Sequence, residues 1–103
     1  MKTIYIYSTN KGVLTERIGY LGDEPRDVFG AGVLAARDEN GKYICQVYSE
    51  PGLLRGNILW YLEPNEQLAR REFIEHELMK VKECEESINR HRDIIKNLED
   101  GLV

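Results

Sequence analysis

The chain has 103 residues and 42% hydrophobic content, enough for one domain or a small domain with an appendage. A net charge of −4 argues against nucleic acid as a partner, because that ligand rewards a basic surface. No stretch has the layout of a signal peptide or the length of a membrane span, and two cysteines are too few for a disulfide scaffold, so a soluble, cytoplasmic protein with no membrane partner is expected.

Lys2 to Ser8 (KTIYIYS) carries β-branched and aromatic residues on both faces, as a covered strand does. Asn10-Lys11-Gly12 turns the chain, and Val13 to Tyr20 returns as the partner strand. Leu21 to Asp27 (LGDEPRD) reads as a polar loop. Val28 to Arg37 (VFGAGVLAAR) reads as a third strand weakened by two glycines. Asp38-Glu39-Asn40-Gly41 closes a second hairpin, with Lys42 to Tyr48 as the fourth strand. After the loop Ser49 to Gly56, Asn57 to Leu62 (NILWYL) is either a short edge strand or a helical turn. Residues 1–63 are therefore expected to form a small antiparallel sheet of four to five strands.

Residues 64–103 read as one long amphipathic helix. Pro64 suits the first helical position, where its missing donor would be unpaired anyway, and Gly101 suits the stop. Glu66–Arg70 and Glu86–Arg90 are favourably oriented i,i+4 pairs. Ile74, Leu78, Val81, Cys84, Ile88, His91, Ile95 and Leu98 follow one another at steps of 3 and 4, and Ile74, Val81, Ile88 and Ile95 repeat every seven residues. That is the pattern of a coiled-coil seam. At about 1.5 Å per residue the stretch from Pro64 to Asp100 spans roughly 55 Å, more than a small sheet can cover. The expected fold class is α+β, with the helix as a homo-oligomer interface formed by Ile74, Val81, Ile88 and Ile95. Gln67, Arg70 and Glu77 also fall on the seam, where unpaired polar groups destabilise and paired ones set register.

Enzyme signatures are missing. His76 and His91 stand too far apart on one helix to share a metal, and no nucleophile elbow or phosphate loop occurs, so the chain reads as a non-enzyme without cofactor or metal. Cys45 and Cys84 read as small buried hydrophobes. Gly30 and Gly32 make a lone G-x-G, for which tight packing in a strand is favoured over ligand approach. The most site-like segment is the loop Ser49 to Asn57 (SEPGLLRGN). Its glycines and proline could expose amide donors to an anion, Arg55 adds a forked donor, and Trp60 could stack a ring. The candidate ligand site is Arg55, Gly56, Asn57 and Trp60 with Arg70 and Arg71, and a possible second anion site is Asn89, Arg90 and Arg92.

An antiparallel sheet running through YIYSTNKG, VFGAGVLAAR and QVYSEPGLLRGNILWYLEPNE into a long charged helix resembles the small accessory proteins of phages and prophages. Within that group it is similar to the anti-Thoeris sponge proteins. The resemblance implies a non-enzymatic oligomer in a bacterial host's cytoplasm that sequesters a cyclic ADP-ribose-type signal and so blocks antiphage defence. It implies no particular ligand residue, and the site residues above come from local chemistry alone. The alternative is an anti-CRISPR-like inhibitor that docks its helix or sheet on a host protein.

Overall fold

The computed structural model describes residues 1–102. Strand β1 spans Lys2–Asn10, β2 Val13–Leu21, β3 Val33–Arg37, β4 Tyr43–Tyr48 and β5 Ile58–Tyr61, and helix α1 spans Glu66–Glu99. The strands form one antiparallel sheet in the order β4-β3-β2-β1-β5. The chain is α+β, a five-stranded antiparallel sheet followed by one long helix. It divides into two units, Met1–Phe73 and Ile74–Val103. Among the described residues no helix is long and apolar enough to cross a membrane.

Strand β1 sits between β2 and β5, and each of its faces feeds an apolar cluster. Successive side chains of a strand point to opposite sides, so β1 feeds two clusters. Ile4 and Ile6 join Leu21, Ala36, Val47 and Trp60 on one side. Tyr7 joins Leu59, Ala69 and Phe73 on the other, with Tyr5, Leu14, Leu54 and Tyr61 packed around them. The Tyr7 and Tyr61 rings meet edge to face with centroids 5.9 Å apart, a favoured aromatic geometry. The second cluster takes in Ala69 and Phe73 from the first turns of α1.

The β1–β2 hairpin turns on Lys11 (φ 51°) and Gly12 (φ 81°), the pair of left-handed residues that a two-residue loop between twisted strands needs. The third strand is shorter than its sequence suggests. Val28 makes only an isolated bridge to Leu34, and the chain then reverses, with Phe29 N–H bonded to Val33 O at 3.1 Å and Val33 N–H to Gly30 O at 3.3 Å. Gly30 and Gly32 have φ of +124° and +80°, so they serve this turn and not strand packing beneath an aromatic; Phe29 is half exposed. The segment left open between strand and helical turn is strand β5, paired to β1 from Tyr5↔Tyr61 to Ser8↔Ile58.

Helix α1 starts two residues later than Pro64. Asn65 is the cap: its Oδ1 accepts the Leu68 N–H at 3.1 Å, and an acceptor side chain at this position satisfies a donor that proline would leave bare. The Asn65 N–H in turn donates to the Tyr7 hydroxyl at 2.8 Å, which itself donates to Glu16 Oε2 at 2.6 Å. Of the two expected i,i+4 pairs, Glu66–Arg70 is made, with Nη2 to Oε1 at 2.6 Å. It is an exposed pair and contributes about 0.3–0.5 kcal/mol. From Ile74 onward no described residue is buried. Cys45 packs against the core as expected, whereas Cys84 is exposed on the helix.

Candidate functional site

The Ser49–Asn57 loop joins β4, at one edge of the sheet, to β5, at the other. Its polar groups are used to draw those edges together. Gly52 N–H donates to Trp60 O at 2.8 Å, and Trp60 Nε1–H donates to Tyr48 O at 2.6 Å. Arg55 and Ile58 exchange backbone bonds at 2.8 and 3.1 Å around a turn in which Gly56 has φ +63°. Asn57 Nδ2 donates to Thr9 O at 2.8 Å. The Gly52 and Arg55 amides that the sequence offered to an anion are thus committed within the fold, and Gly56 and Asn57 act as turn and strut.

Trp60 is 1% exposed, with its ring in the Ile4–Ile6–Val47 cluster. It cannot stack on a ligand, because register opposite Ile6 turns it to the covered side of the sheet. Arg55 is half-buried. Its Nη2 donates to Gln46 Oε1 at 2.7 Å, its Nε is buried without an acceptor, and its guanidinium carbon lies 6.0 Å from the centre of the Tyr48 ring. A guanidinium carries five N–H donors, so the contact to Gln46 leaves it unsaturated. Arg70 is tied to Glu66, and Arg71 is exposed. The structure brings Arg55 together with Gln46 and Tyr48, two residues that sequence reasoning passed over. Their position in strand β4 gave no local sign that β4 would face the loop after it.

In the second set, Asn89 and Arg92 stand three apart and share a helix face, whereas Arg90, next to Asn89, lies on another; all three are exposed. The seam residues Ile74, Val81, Ile88 and Ile95 are between 49% and 58% exposed, and Leu78 and Leu98 more so. Among the described residues no group of three or more His, Cys, Asp or Glu could hold a metal ion.

A buried ion pair lies elsewhere in the sheet unit. Arg37 Nε meets Asp27 Oδ1 at 2.8 Å, with Asp27 almost fully buried, and Arg37 Nη1 donates to Gly41 O at 3.0 Å. A cleft of about 220 Å³ beside it is lined by Tyr20, Asp23 and Arg26, among others. Asp27 and Arg37 pin the irregular segment after β2 to strand β3, a structural task. Burial pushes the Cys45 thiol up, only partly offset by Arg17, which keeps it a poor nucleophile.

Burial, and then the hydrogen bond to Glu16, push the Tyr7 hydroxyl up to about 12 from 10.0. A raised acid stays protonated in the folded state after its unfolded counterpart has ionised. Its stabilisation is therefore complete below pH 10.0 and fades as pH climbs towards about 12. Tyr61, raised by burial and by Glu72, adds to the same trend. Thermal unfolding followed across this window should show a falling Tm, with a shallower fall in Tyr7→Phe. Equal slopes in the two proteins would remove Tyr7 from this account.

Comparison with known proteins assigns no family: no protein-family model matches the chain, and neither a curated protein nor a solved structure shows significant similarity to it.

Proposed function

We propose that the chain is a non-enzymatic binding protein that works as a homo-oligomer, with residues 74–98 as its assembly element. The observation that carries this reading is the half-exposure of Ile74, Val81, Ile88 and Ile95, one residue in every seven. Single exposed apolar side chains are ordinary on any surface; four at a constant interval, flanked by Leu78 and Leu98, make a continuous band. Covering the exposed half of each side chain is worth roughly 1 kcal/mol. Light scattering of the purified protein at micromolar concentration should give a mass of two or more chains, and a monomer would defeat the reading.

Within that assembly the ligand reading is sequestration, without turnover, of a nucleotide-derived signal of the cyclic ADP-ribose type, which would block host antiphage defence. Its support is Arg55, an unsaturated guanidinium beside the partly exposed Tyr48 ring. These are the two elements that grip a phosphate and a base. Tyr48 takes the part that Trp60 was expected to play. Calorimetry with cyclic ADP-ribose isomers tests it. Arg55→Ala should weaken binding on the order of tenfold to a hundredfold while leaving the oligomer's mass unchanged. A flat response from the wild-type protein would transfer the case to docking on a host protein.

A further inference from the structure

We propose that the partner covering the helix stripe is a second copy of this chain, lying parallel and in register as a two-stranded coiled coil. This rests on the assembly reading above and specifies its partner and geometry. With Ile74, Val81, Ile88 and Ile95 at the first seam position of each heptad, Glu77, Cys84, His91 and Leu98 occupy the second seam position. Lys80, Ser87 and Ile94 then flank the seam on one side, and Leu78, Glu85, Arg92 and Glu99 flank it on the other.

Charge complementarity selects the parallel arrangement. In a parallel pair the flanking residue before one seam position meets the residue five further along the other strand, so Lys80 faces Glu85 of the second copy, and symmetry makes the contact twice. In the antiparallel overlap that keeps the whole stripe covered, Glu85 faces Glu85 and Lys80 faces Ile94. Lys80 has only an intrachain contact to Glu77 Oε1 at 3.2 Å, with 54% of its side chain exposed. Such an exposed pair is weak and leaves the ammonium available across the seam.

The seam layers agree. Antiparallel overlap sets Val81 on His91 and Ile95 on Glu77, burying polar groups against aliphatic ones. The parallel register sorts each aliphatic layer with itself and confines the acidic layer to Glu77, one seam position from the start of the stripe. All four first-position residues are β-branched, the choice two-stranded parallel coils make there, and Leu98 supplies their second-position leucine in the last heptad.

The test uses the full chain carrying Cys45→Ser, incubated with oxidised glutathione, which accepts the two electrons of disulfide formation. In the parallel register the two Cys84 residues share one layer, within disulfide reach. A covalent dimer should form on a non-reducing gel and disappear with Cys84→Ser or with the seam-breaking Val81→Asp. Lys80→Glu should weaken the dimer severalfold, and the double variant Lys80→Glu, Glu85→Lys should restore it. A dimer by light scattering that gives no Cys84 link, but links only when Ile74→Cys and Leu98→Cys chains (each carrying Cys45→Ser and Cys84→Ser, and silent alone) are mixed, would overturn the parallel geometry and leave self-association standing. A trimeric mass would overturn the two-stranded form. A monomeric mass would defeat the assembly reading itself.

Discussion

Val81→Asp is expected to turn the assembled protein into monomers at concentrations where the wild type is associated. Val81 lies mid-seam and is 53% exposed in the single chain, so a carboxylate there is tolerable until a second helix covers it. Covering it strands a charge in each copy without a partner. An unpaired buried charge costs about 3–5 kcal/mol, which raises the dissociation constant by at least two orders of magnitude. Lys82→Ala, one residue on and off the stripe, should leave the mass unchanged. The sheet unit should survive Val81→Asp intact, because neither of its apolar clusters extends past Phe73. Retention of the wild-type mass by Val81→Asp would mean that assembly uses a different surface.

The largest loss of fold stability should come from Trp60→Ala. The ring is among the largest fully buried side chains, and its Nε1–H holds the Tyr48 carbonyl that draws β4 towards β5. Removing it leaves a cavity and an orphaned acceptor, a loss of about 3–5 kcal/mol against a typical total of 5–15. Urea unfolding followed by circular dichroism should show a midpoint shift of that size. Trp60→Phe, which keeps most of the volume and loses the hydrogen bond, should lose markedly less. A tryptophan held for ligand stacking behaves in the opposite way: its removal leaves the midpoint in place and abolishes binding.

The sequence carried the elements further than it carried their contacts. Alternation and turn residues located the first hairpin and the covered strand β1, because those signals are local. The heptad stripe was legible for the same reason. Trp60 was misread because Ile58, Leu59, Trp60 and Tyr61 are all apolar, so no periodicity reveals which side faces the core. Pairing with Ile6, more than fifty residues earlier, decides that. The Asp27–Arg37 pair was invisible because it bridges a loop to a strand and has no spacing signature. Glycines in the 49–57 loop suggested free amides, but strand edges closing on one another claimed them first. The helix start was placed at Pro64, one residue before Asn65, whose acceptor side chain supplies the cap.

The hydrogen bond from Asn65 to the Tyr7 hydroxyl, described above as a detail of the helix start, marks where cooperativity stops. Because that bond, Ala69 and Phe73 tie the first turns of α1 into the sheet's own cluster, those turns can melt only with the sheet. Past Phe73 no described residue is buried, whereas most helical stability in a protein comes from packing an apolar face. On the assembly reading proposed above, mass action supplies the rest, so the order of the distal helix follows how much protein is present. Expression level would then set how much of the assembled form exists, with no ligand or modification required.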